Sequence, residues 1–130
     1  MDDQVSTGEC ILIVEDDDDV RWLVELVLRR AGLCTDAVDG GRPALDAARR
    51  APRPDMIVLD VEMDDVNGLD VCRQVKTSTL APPLVLIMSG NTSRDDIATG
   101  YAAGCDDYLT KPFTPAELLH RVRRLLPRIA

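Results

Sequence analysis

The run Pro54-Asp55-Met56-Ile57-Val58-Leu59-Asp60-Val61-Glu62-Met63 decides how the rest of the chain reads. Its apolar centre has strand length without polar alternation, follows a proline and runs into a polar loop ending at Asn67-Gly68. That pattern belongs to a strand covered on both faces, as in a parallel sheet. Asp60 closes the apolar run, so its carboxylate emerges at the carboxyl end of a buried strand. Ligands of open α/β sheets bind at that end, which makes Asp60 the first candidate for chemistry.

Upstream, Cys10-Ile11-Leu12-Ile13-Val14 is a second unalternated apolar run, stopped by Glu15-Asp16-Asp17-Asp18-Asp19. Val20, Leu23, Val24, Val27, Leu28 and Ala31 then recur at helical spacing, with Gly32 where a C-terminal cap belongs. One of Asp17 to Asp19 can cap the amides of that helix. Leu33 to Val38 is short and mixed, as suits an edge strand, and Pro43 to Arg50 predicts a short helix with Ala44, Leu45 and Ala48 inward. Downstream of the decisive run, Gly68 to Lys76 sets Leu69, Cys72 and Val75 on one helical face before Pro82-Pro83 breaks the chain.

Leu84-Val85-Leu86-Ile87-Met88 predicts a fourth strand that delivers Ser89-Gly90 to its carboxyl end. Asp95 to Ala103, closed by Gly104, predicts a weakly apolar helix, and Asp106-Asp107-Tyr108-Leu109 a short fifth strand followed at once by Lys111-Pro112. Thr114-Pro115-Ala116-Glu117 has the form of a capping box, and the helix it opens turns Leu118, Val122 and Leu125 inward. Five strands alternating with five helices require right-handed parallel crossovers, hence a doubly wound α/β sheet with helices on both faces. The sequence leaves strand order open. In the order 2-1-3-4-5 the first and third strands are neighbours, and Asp16 would stand beside Asp60.

The 130 residues fit one domain, expected over 9–127, with 1–8 a flexible N-terminus and 128–130 a C-terminal tail. Lys plus Arg number 15 against 23 Asp plus Glu, and the net charge of -8 repels nucleic acid phosphates and anionic membranes. Direct nucleic acid binding and membrane association are therefore not expected. One Trp, two Tyr and one Phe leave the core aliphatic and give no base-stacking surface. Cys10, Cys34, Cys72 and Cys105 form no Cys-x-x-Cys pair and have no histidine cluster nearby, so reduced buried thiols are the expectation. An acidic start, Met1-Asp2-Asp3-Gln4, and the lack of a membrane-length apolar run lead to a cytoplasmic expectation. The lone His120 is expected exposed on the last helix, Trp22 lies off the apolar stripe of the first, and Arg121, Arg123 and Arg124 are expected to pair with acids such as Asp107 or Glu117.

Glu15, Asp16 and Asp60 together would gather about three negative charges in one crevice, which calls for a cation. Carboxylates and backbone carbonyls without histidine or thiol suit a hard ion, and a site that keeps waters favours Mg²⁺ over Ca²⁺. Lys111 supplies a second positive charge and Ser89 a hydroxyl. An aspartate so flanked has what phosphoryl transfer onto a carboxylate needs, because that reaction demands positioning and neutralisation of equatorial oxygens. Asp60 would attack phosphorus, Asp16 with Glu15 behind it would hold the ion, and Lys111 and Ser89 would take the remaining oxygens.

These residues resemble the receiver domain of bacterial two-component response regulators over nearly the whole chain. The resemblance is carried by Glu15-Asp16 after Ile-Leu-Ile-Val, Asp60 before Val-Glu-Met, Ser89-Gly90 after the fourth strand, and Asp107-Tyr108-Leu109-Thr110-Lys111-Pro112-Phe113. It implies a CheY-like, flavodoxin-like (βα)5 sandwich with strand order 2-1-3-4-5. It further implies a phosphohistidine donor on a sensor histidine kinase or phosphotransfer protein, Mg²⁺ contacted also by the backbone carbonyl of Glu62, and a cis Lys111-Pro112 peptide. The implied switch couples Ser89 to inward rotation of Tyr108, with Gly90 leaving room. Helix four, strand five and helix five would form the surface read by an effector domain or protein, or used for a homodimer. Asp64 departs from the proline common there and suggests a less rigid, more acidic loop, while Glu62 and Asn91 stand where the family tunes phosphoryl lifetime.

On this reading the chain is a phosphorylatable switch whose only chemistry is its own phosphorylation and dephosphorylation. The alternative is a phosphatase or other hydrolase with an aspartyl-phosphate intermediate. Glu62 could be its general acid, but the haloacid-type pattern has aspartate there followed by threonine, and here Met63-Asp64 follows. An electron carrier of the flavodoxin type fits least, because five acids replace its phosphate loop.

Overall fold

The computed structural model describes residues 9–78 and 80–126, so the expected terminal segments 1–8 and 128–130, with residue 127, lie outside the described residues. The elements are β1 (Cys10–Val14), α1 (Asp18–Arg30), β2 (Cys34–Val38), α2 (Gly41–Arg49), β3 (Met56–Asp60), α3 (Gly68–Thr77), β4 (Leu84–Ser89), α4 (Arg94–Ala102), β5 (Asp107–Thr110) and α5 (Pro115–Leu125). The strands form one parallel sheet in the order β2-β1-β3-β4-β5. Consecutive residues of a strand face opposite sides, and here both sides are covered. Leu12, Ile57, Leu59, Val85 and Ile87 join residues of α2 and α3 in one cluster, while Ile11, Met56, Val58, Leu86 and Met88 join residues of α1 and α5 in the other. This two-sided burial is why the decisive run shows no alternation: all five residues of β3, Asp60 included, are buried.

The helix boundaries follow their caps. Asp17 accepts the amides of Asp19 and Val20 at the start of α1, and Thr114 and Glu117 form the expected capping box on α5. Gly32 and Gly104, with φ of +88° and +105°, take the left-handed conformation that follows α1 and α4. Two details of packing differ from expectation. Leu23 is exposed on α1, and the apolar contact of that helix is made chiefly by Val24 and Leu28. The second helix starts at Gly41, two residues before Pro43, because Asp65 from the loop after β3 accepts the amides of Gly41 at 2.9 Å and Arg42 at 3.0 Å.

The cysteines correct the expectation of four reduced thiols. Parallel pairing sets Cys10 opposite Cys34 across β1 and β2, Cα to Cα 4.5 Å, and the two are joined in a disulfide. The partners are 24 residues apart and become neighbours only once β2 pairs with β1, a relation that sequence spacing does not carry. Cys72 and Cys105 are free and buried as expected, and burial pushes their thiols up to about 11 and about 12, away from the reactive thiolate form. No helix among the described residues is long and apolar enough to cross a membrane.

Candidate functional site

The strand order places β1 and β3 side by side, so the segments leaving them open into one crevice at the carboxyl edge of the sheet. Glu15 follows β1 directly. Its amide donates to the Val38 carbonyl at 3.2 Å, its carbonyl accepts Arg21 Nη1 at 3.0 Å, and its side chain is 1% exposed. One carboxylate oxygen from each of Glu15, Asp16 and Asp60 lies within 4.8 Å of the others, the convergence expected from the sequence. Glu62 is exposed and its carboxylate stands outside this group.

Asp60 is held in place from behind. Gly68 N–H donates to the Val61 carbonyl at 2.8 Å, and a Cβ at Gly68 would fall 2.7 Å from Val61 Cα and collide with the Asp60 carbonyl oxygen. Only glycine lets α3 begin this close to the end of β3. Asp65, next to the exposed Asp64, ties the same loop to α2. In the sequence, Asn67-Gly68 reads only as a loop end and Asp65 carries no signal of a role. The glycine's adjacency to the Asp60 backbone is tertiary, and the Asp65 cap serves a helix 24 residues away in sequence.

The opposite wall comes from β4 and β5. The register pairs Asp60 with Met88 and Ser89 with Thr110, and Lys111 N–H donates to the Ser89 carbonyl at 2.8 Å. Lys111 therefore enters the crevice as β5 ends, and its ammonium donates to Glu15 Oε1 at 2.7 Å and Asp60 Oδ1 at 3.3 Å. The Lys111-Pro112 peptide is cis, as the resemblance implies, and so is Ala51-Pro52, which no sequence signal anticipates. Ser89 is fully buried, and its Oγ accepts the Asn91 amide at 3.0 Å. Gly90 is exposed, and a Cβ there would meet nothing within 4 Å.

Electrostatics match this crowding. Burial, then the neighbouring charge of Glu15, pushes the Asp60 carboxyl up to about 7 against the opposing pull of Lys111. Burial works to lower the Lys111 ammonium, but its hydrogen bonds to, and the charges of, Glu15 and Asp60 outweigh burial and hold it above its ordinary value. The site thus carries more negative charge than one lysine neutralises.

Tyr108 is buried with its hydroxyl donating to the Asn91 carbonyl at 2.8 Å, and its ring lies over Gly100 of α4. The ring is therefore packed inward against α4 in this structure. One residue earlier in β5, Asp107 accepts Arg121 at 2.8 Å and Arg124 at 3.4 Å, a pairing anticipated for both arginines. Tyr101 Oη also donates to Asp107, at 3.3 Å, and His120 is exposed as expected.

A family model described as "Response regulator receiver domain" matches residues 11–123. The chain belongs to the response regulator receiver domain family. It is 38% identical over 118 residues, 91% of its length, to the DNA-binding response regulator MtrA of Mycobacterium tuberculosis, strain ATCC 25618 / H37Rv, covering 50% of that protein. It thus spans about half the length of the curated relatives it matches. Among solved structures, the chemotaxis response regulator CheY4 of Vibrio cholerae superposes with a TM-score of 0.83 at 30% identity, over 90% of this chain and 98% of that one. The BeF3-activated receiver domain of DrrB, a Thermotoga maritima protein, gives 0.82 at 30% identity, over 92% and 97%. The (βα)5 strand order is the one expected of a receiver domain, and two-component signalling is the context of the family.

Proposed function

We propose that Asp60 accepts a phosphoryl group from a phosphohistidine of a sensor histidine kinase or phosphotransfer protein. The observation that carries this reading is the placement of Lys111 Nζ within hydrogen-bond reach of Asp60, with Glu15 holding the ammonium from its other side. A carboxylate oxygen of Asp60 forms the new P–O bond as the P–N bond to the donor imidazole breaks, and the imidazole takes up a proton. Lys111 stays beside the developing equatorial charge, and the Ser89 hydroxyl is the donor assigned to a further phosphoryl oxygen.

The donor set fits Mg²⁺: three carboxylates converge, none is histidine or thiolate, and their charge exceeds what Lys111 offsets. Asp16 and Asp60 would hold the ion with the backbone carbonyl of Glu62, and Glu15 would act indirectly, through its hold on Lys111. When bound, Mg²⁺ supplies positive charge that brings the anionic carboxylate and phosphoryl oxygens together.

Phosphorylation adds charge and acceptors at one point, which competes for the Ser89 hydroxyl and so acts on Asn91 and Tyr108 beyond it. The surface of α4, β5 and α5 then reports the change to an effector or to a second copy of the chain. DNA binding belongs to the whole relatives named for it, and the charge of -8 opposes it in this chain. A cytoplasmic setting agrees with an intracellular phosphohistidine donor. The protein acts on itself and turns over no separate substrate.

The test is incubation with acetyl phosphate and Mg²⁺ followed by intact-mass measurement. The chain gains one phosphoryl group and Asp60→Asn gains none. Equal labelling of the variant would remove Asp60 from this role, and turnover of an unrelated phosphate ester at enzyme-like rates would favour the hydrolase alternative.

A further inference from the structure

At the edge of the sheet opposite Asp60, α2 ends at Arg49 and the chain turns through Arg50 to Pro54 into β3. The short helix leaves the amino-terminal ends of β1 and β2 uncovered, and a cavity of about 350 Å³ opens there. Its apolar back is formed by Leu12 and Ala47, both buried. Cys10 and Cys34 also line it. Strand parity explains this: Cys10 lies two residues from Leu12, on the same face, and Cys34 is its register partner. Arg50 and Asp36, both exposed, add one charge of each sign to the wall. The cavity thus combines a disulfide, a small apolar back and a cation and an anion at its rim, on the side of the sheet remote from the acid cluster.

We propose that the Cys10–Cys34 disulfide is a thiol-exchange site for a zwitterionic, amino-acid-derived thiol of low molecular weight. The carboxylate of such a thiol meets Arg50 and its ammonium Asp36, while its sulfur reaches the disulfide through the cavity. Cys34 is the sulfur attacked, because it is exposed whereas Cys10 is half-buried, with its backbone amide donating to Asp55 Oδ2 at 2.8 Å. The entering thiolate forms a bond to the Cys34 sulfur. The Cys10–Cys34 bond breaks with its electron pair passing to Cys10, which takes up the proton that the entering thiol gave up. A second thiol attacks the mixed disulfide and leaves Cys34 reduced, so two small thiols are oxidised to one disulfide as the protein disulfide becomes two thiols. Cys72 and Cys105 take no part, since both are buried in the core and burial disfavours their thiolates.

The experiment uses the 130-residue chain, oxidised in air, with glutathione and neutral 2-mercaptoethanol as probes. Non-reducing mass measurement with alkylation finds two thiols blocked as a disulfide, and brief exposure to glutathione gives a mixed disulfide that peptide mapping places on Cys34, with Cys10 newly alkylated. Arg50→Ala slows exchange with glutathione by roughly twofold to fivefold, the range of an exposed ion pair, and leaves the rate with 2-mercaptoethanol unchanged. Cys10→Ser still takes the adduct on Cys34 from glutathione disulfide, which keeps the assignment testable without the native bridge. Four alkylatable thiols in the air-oxidised chain, an adduct mapped to another cysteine, or equal slowing of both probes by Arg50→Ala overturns the proposal.

Discussion

Lys111 Nζ lies 2.7 Å from Glu15 Oε1, a shorter contact than the 3.3 Å to Asp60 Oδ1. One buried carboxylate holds the ammonium while the other stays free enough to react. Lys111→Ala is therefore expected to leave Asp60 phosphorylatable but to slow labelling by acetyl phosphate on the order of 10²-fold, the usual cost of removing one charge-stabilising donor. Time-resolved intact-mass measurement checks this. An unchanged rate would mean that Lys111 only balances charge in the resting protein.

The same crowding predicts a pH effect on folding without metal. The Asp60 carboxyl, raised from 3.8 to about 7 by burial and by Glu15, keeps a proton that the unfolded chain releases between those values. The folded state then binds more protons than the unfolded state, so its stability falls as pH rises through this window. Asp60→Asn should flatten that part of the profile and be more stable than the parent at about pH 8, on the order of 1 to 4 kcal/mol, with the advantage vanishing near about pH 4. Urea denaturation in chelator at several pH values measures the difference, and parallel profiles for the two proteins would rule out the Asp60 carboxyl as the source of the pH effect.

How far the sequence carries follows from which interactions are local. Unalternated runs reveal β1, β3 and β4 because both faces of each are covered, and Thr114 with Glu117 shows its cap within four residues. The convergence of Asp16, Asp60, Ser89 and Lys111 at one edge is legible because a parallel α/β sheet sends every strand end the same way. What stays hidden depends on partners distant in sequence. Cys10 meets Cys34 only through the β1–β2 register, and Gly68 is required only because the backbone at Asp60 lies against it. The inward ring of Tyr108 is a rotamer, which no spacing rule encodes.

Tyr108 offers a separable test of the inward position. Tyr108→Phe removes the hydrogen bond to the Asn91 carbonyl but keeps the ring, and should cost about 1 kcal/mol in chemical denaturation. Gly100→Ala would set a Cβ 2.9 Å from the ring carbon Cδ2, forcing the ring or α4 to shift. Overpacking of about 1 to 3 kcal/mol then competes with a helix-propensity gain of about 1 kcal/mol, so a net loss of stability is expected. A net gain would show that the ring leaves this position at little cost.

Asp65, in the loop after β3, caps α2: the N-cap residue Gly40 has no side chain, and Asp65 accepts the amides of Gly41 and Arg42 instead. Those backbone hydrogen bonds, Arg42 foremost, hold the Asp65 carboxyl below its ordinary value, so its contribution is present above the unfolded pKa and is lost as pH falls through the lower folded one. Asp65→Ala should cost about 1 kcal/mol, as for other helix caps. Because the same loop carries the Glu62 backbone proposed to face Mg²⁺, the variant should also weaken Mg²⁺ binding, read by titration with the metal alone. Asp64→Ala, at the exposed neighbour, serves as control and should change neither quantity. If Asp65→Ala lowers stability and leaves Mg²⁺ affinity untouched, the cap fixes α2 without positioning the loop.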